Sequence, residues 1–306
     1  MKENEKRAFE LKIKLDDISN QYDERTKYIL SHQELIDNVN YRKRSIKSLV
    51  AKNGIKKPIC VDGILFRGNF EYKEDHWTRK TNGHEIEDYL NSLFRILVAT
   101  KDSNEGVGEN DDTTNLGVEW DIKTETLRDN NSEEICTSAT FGKNYIRVIY
   151  ILMMYRYHSE NEILEALTGI DRCRSIWENA PLARINLKKQ PGNGSINDSL
   201  LSSYISLYKD VLQKQIELIN PNVIINSAGK PGMIFFKKIY KDLECIDKNY
   251  GNGRDKWIYV DRIQKVVIID IYHFSHRGWE WNDRYFFKEL LHRLLYVSKD
   301  IDRLLM

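Results

Sequence analysis

The mostly apolar run ILVAT at residues 96–100 passes directly into the polar segment KDSN at residues 101–104. The same change recurs at two later places: LARI at 182–185 before NLKK at 186–189, and VVIIDI at 266–271 before YHFSHR at 272–277. Each run has the length of a buried strand, and open α/β sheets bind ligands outside the carboxyl ends of their strands. We therefore expect Asp102, Asn186 and His273 to converge on one pocket.

The region from Ile59 onward alternates short apolar runs with longer amphipathic stretches. Its predicted strands are 94–100, 182–187, 222–226, 257–260 and 265–271. Its predicted helices are 86–93, 143–157, 160–167, 199–219, 231–243 and 283–297. Strands separated by helices of this length favour crossover connections. The sequence therefore predicts a three-layer α/β/α fold with a mainly parallel central sheet.

The N-terminal region has a different pattern. Apolar residues recur at spacings of three, four and seven over residues 6–50, which indicates helix with an internal break. Residues 41–57 contain no acid and seven basic side chains, among them Arg42, Lys43, Arg44 and Lys47. Such a block can neutralise phosphates of DNA, or it can be the solvated end of a helix. We predict a helical basic arm at 1–57 before an α/β domain at 58–306.

The composition excludes several classes of protein. The 306 residues are 41% hydrophobic and 30% charged, with a net charge of +1, which suits a large domain with a charged surface. There is no run of 18 apolar residues and no apolar core after the charged start, so we expect neither a transmembrane helix nor a secretory signal. The four cysteines form no CxxC pair, which favours reduced thiols in a cytoplasmic protein.

Common cofactor and hydrolase motifs are missing from the sequence. It contains no Walker loop, no GxGxxG after a strand, no GxSxG and no HExxH. Kinase, dehydrogenase, serine hydrolase and zinc-protease functions are therefore disfavoured. We expect no cofactor and no metal.

In order and chemistry, the three polar segments resemble the three motifs of the uracil-DNA glycosylase superfamily. The first family motif reads GQDPYH in the uracil enzymes, and Asp102 matches its catalytic Asp. The resemblance implies that Asp102 stabilises the positive charge that builds on the sugar, or orients water. The family's Pro is Ser103 here, and its Tyr, which excludes groups on carbon 5 of the pyrimidine, is Asn104. We therefore expect the pocket to admit a 5-substituted base.

The second segment resembles the family strand that ends in an Asn. The resemblance implies that Asn186 reads the Watson–Crick edge of the extruded base. An amide has both donors and an acceptor, so either uracil or cytosine would fit. Lys188 and Lys189 follow directly, and we expect them to form a basic turn that binds a phosphate.

The third segment resembles the family's HPSP loop, although Phe274 and His276 replace both prolines. The resemblance implies that His273 donates a hydrogen bond to the leaving base and that Ser275 binds a backbone phosphate. The neighbouring side chains predicted to contact DNA are His276, Arg277, Trp279 and Trp281. The two tryptophans are expected to fill the space that the extruded base leaves in the base stack. The family stacks a Phe from downstream of the first motif on the flipped base, and we assign this role to Trp120.

The resemblance covers residues 58–306 and includes VDGI at 61–64, which is similar to a bacterial branch of these proteins. It implies hydrolysis of a base–sugar bond after the base is extruded from DNA, leaving an abasic site. Among the members, bacterial anti-phage glycosylases that act on hypermodified cytosines of phage DNA fit Asn104 best. The expected partner is DNA, preferably double-stranded. We expect a monomer that does not contact membranes.

Two other functions are compatible with the residues. Asp121 and Lys123 form a D-x-K core like that of restriction-type nucleases, with Asp102, Asp111 or Asp112 as the further metal ligand. A glycosylase-like fold that only binds DNA or a protein would also explain the departures from the family motifs. Release of a base without metal separates the glycosylase from both alternatives.

Overall fold

The computed structural model describes residues 3–32, 62–63, 70–73, 76–79, 84–101, 140–189, 196–251, 257–274 and 285–306. The helices of these ranges are α1 (Glu3–Ser31), α2 (Glu85–Asn91), α3 (Thr140–Met154), α4 (Glu160–Ala166), α5 (Ile170–Asn179), α6 (Asp198–Ile219), α7 (Lys230–Ile239), α8 (Tyr285–Tyr296) and α9 (Ser298–Leu305). The strands are β1 (Phe70–Lys73), β2 (His76–Arg79), β3 (Ile96–Thr100), β4 (Leu182–Asn186), β5 (Val223–Asn226), β6 (Leu243–Cys245), β7 (Ile258–Asp261) and β8 (Val266–Asp270). Within the described ranges, no helix is long and apolar enough to cross a membrane.

The main sheet has six strands in the order β4-β3-β5-β8-β7-β6, and β1 and β2 form a separate antiparallel pair. Strands β4, β3, β5 and β8 are parallel, whereas β7 and β6 extend the sheet in antiparallel fashion. The predicted α/β class with a mainly parallel sheet is therefore confirmed. The chain passes from β3 to β4 on one side and then to β5 on the other, so the winding reverses at β3. Ligands of open α/β sheets bind at such reversals.

Each face of the sheet has its own hydrophobic core. The α3 face carries Val98 and Ile225, which pack with apolar residues of α3, α5 and α8. The α6 face carries Leu97 and Ile224, which pack with residues of α1, α6 and α7. Successive side chains of a strand point to opposite faces, and β3 is buried along its whole length. Helices thus cover both faces, as expected for a parallel sheet.

The structure adds β1, β2, α5, β6 and α9 to the predicted elements. Helix α5 has a signal that the prediction overlooked, since Ile170, Cys173 and Trp177 recur at helical spacing and pack in the core of the α3 face. The last two predicted strands are antiparallel, because the turn at 262–265 is too short for a crossover. The carboxylate of Asp261 closes this turn by accepting hydrogen bonds from two of its main-chain N–H groups.

Helix α1 belongs to the layer that covers the α6 face. Ile18, Tyr22 and Ile29 are buried in the same core as the sheet residues. Arg25 Nε also donates to the main-chain oxygen of Leu207 on α6, at 2.9 Å. This part of the predicted arm is therefore packed on the α/β domain. The basic side chains Arg42, Lys43, Arg44 and Lys47 lie outside the described residues.

A buried ion pair joins the antiparallel side of the sheet to α8. Arg293 Nη1 lies 2.6 Å from Asp247 Oδ2, and both side chains are almost fully buried. The guanidinium carbon lies 4.8 Å from the ring centroid of Tyr250 and 4.9 Å from that of Trp257. Asp247 also accepts the main-chain N–H of Trp257. These hydrogen bonds and ring contacts offset the cost of removing both charges from water.

The connection from β5 to α7 depends on two glycines. Gly229 precedes the helix with φ +72°, a left-handed conformation that glycine adopts without strain. A Cβ on Gly232 would lie 2.2 Å from Oδ1 of Asn226, the last residue of β5. The side chain of Asn226 therefore occupies the space that any larger residue at 232 would need.

We expect Gly232→Ala to lower the free energy of unfolding by about 1–3 kcal/mol, the usual cost of overpacking. Gly63→Ala is the control, because a Cβ there meets nothing within 4 Å. Its effect should stay within about 0.5 kcal/mol. Urea denaturation of both variants measures the difference, and equal effects would show that the chain absorbs the clash at Gly232.

Candidate functional site at the carboxyl edge of the sheet

Main-chain hydrogen bonds continue past the ends of the parallel strands. The N–H groups of Leu187 and Lys188 donate to the oxygens of Thr100 and Lys101, both at 2.9 Å, and Ser227 N–H donates to Ala99 oxygen at 2.9 Å. In this register Thr100 lies opposite Asn186. The chain therefore leaves β3, β4 and β5 at the same level, and the polar residues at these ends face one edge.

Asn186 is completely buried at this edge. Its Oδ1 accepts a hydrogen bond from Thr100 Oγ1 at 2.5 Å and a longer one from Arg184 Nη2 at 3.4 Å. Its Nδ2 is buried and has no hydrogen-bond partner among the described residues. Leaving a buried donor unsatisfied costs about 1–3 kcal/mol. An amide nitrogen without a partner at the end of a strand, beside a switch point of the sheet, is a candidate for contact with a ligand.

Arg184 places a permanent positive charge on the α3 face next to Asn186. It lies two residues earlier on β4, so both side chains point to the same face. Its side chain is buried, and Nε donates to Thr100 Oγ1 at 3.1 Å. The guanidinium carbon also lies 5.5 Å from the ring centroid of Phe141. The sequence contained a signal that Arg184 belongs to the site, because it is a charged residue inside an otherwise apolar strand.

Phe141 and His273 complete this group on the α3 face. Phe141 is in the first turn of α3, and its ring centroid lies 5.8 Å from that of His273. The next residue, Phe274, is buried edge-on against Phe141. Asn144 Nδ2 donates to the main-chain oxygen of Phe274 at 2.8 Å. The turn that carries His273 is thus attached to α3, and Phe141 contacts both His273 and Arg184.

The structure therefore brings Asn186 and His273, two of the three residues predicted to converge on one pocket, to the same edge and face of the sheet. Phe141 is an aromatic residue that the prediction missed, although it also follows the first motif in the sequence. The predicted site residues that lie outside the described part of the chain are Asp102, Asn104, Trp120, Ser275, His276, Arg277, Trp279 and Trp281. The chain leaves β3 at Lys101, directly before Asp102.

The two lysines after β4 are buried, which corrects the expectation of a basic turn facing a phosphate. Lys188 continues the main-chain hydrogen bonding of β4, and its side chain is buried. Lys189 is only 1% exposed, and its amine forms an ion pair with the carboxylate of Asp62. The same amine lies 5.3 Å from the ring centroid of Tyr22. The charge of Lys189 is thus neutralised inside the protein rather than by DNA.

Asp62 is the centre of a buried polar network behind the site. Its Oδ2 accepts the main-chain N–H of Asn186 at 2.6 Å, and its Oδ1 accepts from Gln215 Nε2 at 2.9 Å as well as from Lys189. Gln215 in turn accepts from the hydroxyl of Tyr22 at 3.0 Å. Burial raises the pKa of Tyr22 well above its usual value, so the hydroxyl remains a donor. The network fixes the main chain of Asn186 relative to α1 and α6.

We expect Asp62→Ala to lower the free energy of unfolding by about 3–5 kcal/mol, because it leaves the charge of Lys189 buried without its partner. The double variant Asp62→Ala/Lys189→Met should be less destabilised than Asp62→Ala alone, since it removes both charges. Urea denaturation of the two single variants and the double variant measures the coupling. Additive losses would show that the two side chains do not stabilise each other.

A second polar pair lies at the same edge but on the α6 face. Asn226 Nδ2 donates to Asp270 Oδ1 at 2.6 Å and to Gly229 oxygen at 3.1 Å. Burial raises the pKa of Asp270 to about 6, although the hydrogen bond from Asn226 and the charge of Lys237 act in the opposite direction. This pair holds the turn between β5 and α7. It is separated from Asn186 by the thickness of the sheet.

The raised pKa of Asp270 makes stability depend on pH. Between about pH 4 and 6 the folded state retains a proton that an unfolded Asp has lost. The free energy of unfolding should therefore decrease as pH rises through this window, by up to about 1.4 kcal/mol per pH unit. Asp270→Asn should remove this contribution, whereas the exposed control Asp210→Asn should retain it. Unfolding measured in urea at several pH values tests the difference, and identical slopes in both variants would contradict it.

The described residues contain no group of three or more His, Cys, Asp and Glu side chains that could hold a metal ion. The residues of the nuclease alternative, Asp111, Asp112, Asp121 and Lys123, lie outside the described ranges. Comparison with known proteins gives no family assignment: no protein-family model, no curated protein and no solved structure matches the chain. Its function must be inferred from its own residues.

Proposed function

We propose that this protein is a DNA glycosylase with a uracil-DNA-glycosylase-like α/β/α fold, which hydrolyses the bond between deoxyribose and an extruded, 5-substituted pyrimidine. The observation that carries the proposal is the unpartnered amide nitrogen of Asn186, buried at the carboxyl edge on the same face as Phe141 and His273. This group combines a hydrogen-bonding side chain, an aromatic ring and an imidazole, which are what a flipped base requires. The enzyme would act as a monomer in the cytoplasm.

Asn186 and Phe141 are proposed to bind the base. Sites for flipped bases combine hydrogen bonds to the Watson–Crick edge with stacking on aromatic side chains. Asn186 supplies the amide, and its main chain is held by Asp62 at 2.6 Å. Phe141 lies against Arg184, two residues before Asn186, and supplies the aromatic ring. It takes the role that the sequence assigned to Trp120.

His273 is proposed to stabilise the leaving base. Cleavage of the glycosidic bond transfers negative charge to the pyrimidine, and a preorganised donor lowers the energy of that transition state. This role is supported by the anchoring of the adjacent Phe274, whose main-chain oxygen accepts from Asn144 on α3. An imidazole can donate at neutral pH in either protonation state.

The remaining roles rest on the sequence resemblance. Asp102 would stabilise the positive charge on the sugar or orient water, and Asn104 would leave room for a group on carbon 5. The side chains proposed to contact the DNA backbone or to fill the vacated stack are Ser275, His276, Arg277, Trp279, Trp281, Arg42, Lys43, Arg44 and Lys47. No step requires a metal ion or a cofactor.

The proposal is tested with duplexes that each carry one modified pyrimidine, in buffer with EDTA. Released base and alkali-labile abasic sites are measured together. We expect release from at least one 5-substituted pyrimidine. Asp102→Asn should slow release by about 10²–10⁴-fold, as expected for a positioned acid–base group. His273→Ala should slow it by about 10²–10³-fold, the usual effect of removing one donor to a developing anion.

His292→Ala is the control for histidine replacement. His292 lies on α8 and pairs with Glu160 at 2.7 Å, outside the proposed site. This variant should release base at the wild-type rate. Strand cleavage that requires magnesium would favour the nuclease instead. Binding of DNA without release of any base would favour a non-catalytic DNA-binding protein.

A further inference from the structure

The hydrogen bonds around Asn186 determine which end of its amide is available to a ligand. Thr100 Oγ1 and Arg184 Nη2 lie 2.5 and 3.4 Å from Asn186 Oδ1. A carbonyl oxygen can accept two hydrogen bonds, so these two donors use the accepting capacity of Oδ1. The amide nitrogen has no partner in the described part of the chain. The group left for a ligand is therefore an N–H donor.

Arg184 prevents the opposite orientation of the amide. A guanidinium has donors only, so the Asn186 atom that faces it must be the acceptor. Arg184 Nε also donates to Thr100 Oγ1 at 3.1 Å, which directs the hydroxyl proton away from Arg184. The Thr100 hydroxyl has two acceptors within reach, Asn186 Oδ1 at 2.5 Å and the main-chain oxygen of Ile185 at 3.4 Å, and the much shorter distance assigns its proton to Asn186 Oδ1. Arg184, Thr100 and Asn186 thus form a chain of hydrogen bonds that all run in one direction.

We infer that Thr100 and Arg184 are specificity-determining residues, which make Asn186 a donor and select a base with an acceptor at ring position N3. Cytosine presents such an acceptor. Uracil and thymine instead carry an N3–H donor, which would face the N–H donor of Asn186. The alternative acceptor, Asn186 Oδ1, already accepts hydrogen bonds from Thr100 and Arg184. This inference rests on the proposed function for its site. It goes further by selecting cytosine-type over uracil-type bases, through two residues that the sequence did not single out for this role.

The experiment compares 5-hydroxymethylcytosine with 5-hydroxymethyluracil, which share the group on carbon 5 and differ along the Watson–Crick edge. Each is placed opposite an abasic-site analogue, so that base pairing does not bias extrusion. We expect the wild type to release the cytosine base roughly ten- to a hundred-fold faster, the effect of one unsatisfied buried hydrogen bond. Release of the uracil base at an equal or higher rate overturns the inference.

Variants test the two specificity residues directly. Thr100→Val removes one donor to Oδ1 and should reduce the preference. The double variant Thr100→Val/Arg184→Met frees the amide to rotate and should bring the ratio of rates close to one. Thr26→Val is the control, because the Thr26 hydroxyl lies on the α6 face. There it forms hydrogen bonds with the main-chain oxygen of Tyr22 and with the hydroxyl of Tyr208. It should keep the wild-type ratio, and thermal melting verifies that each variant is folded. An unchanged ratio in the folded double variant overturns the inference.

Binding of the free bases to the full chain separates this inference from the proposed function. NMR of ¹⁵N-labelled protein follows the Asn186 side-chain amide during titration with each of the two free bases. Tighter binding of 5-hydroxymethylcytosine, lost in the double variant, supports the inference even if no duplex releases a base and the glycosylase proposal fails. Equal or tighter binding of 5-hydroxymethyluracil overturns it. Absence of both binding and release overturns it together with the proposed function.

Discussion

The parallel pairing of β3 with β4 on one side and β5 on the other is the constraint on which the site depends. Both pairs are in register along the strand, so Thr100 lies opposite Asn186 and Ala99 lies opposite Asn226. Since β3 is buried on both faces, a slip of one residue would exchange its two sets of side chains between the cores. The hydrophobic cores thus fix the register of the strands. The register in turn determines which polar groups meet at their carboxyl ends.

Buried charges at this edge need partners, and the partners connect distant segments. Asp62 neutralises Lys189 and also accepts the main-chain N–H of Asn186, so one carboxylate supports both an ion pair and the candidate site. Gln215 and Tyr22 extend the same network to α6 and α1. Desolvation of each charge is costly unless its hydrogen bonds are complete. The N-terminal helix is therefore coupled to the position of Asn186.

The α3 face and the α6 face serve different purposes at the carboxyl edge. The α3 face brings together Arg184, Asn186, Phe141 and His273. The amide nitrogen of Asn186 is a donor there without a partner among the described residues. On the α6 face, Asn226 and Asp270 satisfy each other and the turn that follows β5. The polar pair of the α6 face therefore supports the fold, whereas the polar group of the α3 face is the one that a ligand would complete.

The sequence by itself determined five of the eight described strands, most of the helices and the polar residues at the strand ends, because burial on both faces produces short apolar runs that are visible locally. It also predicted that Asn186 and His273 lie together, and the structure has both at the same edge and face of the sheet. Only the tertiary structure decided that Lys189 is internal and that the buried amide nitrogen of Asn186 has no partner among the described residues. Lys189 meets Asp62, which is 127 residues away, and Asn186 meets Thr100, which is 86 residues away. The protonation and polarity of a buried group depend on such neighbours, and no local pattern along the chain records them.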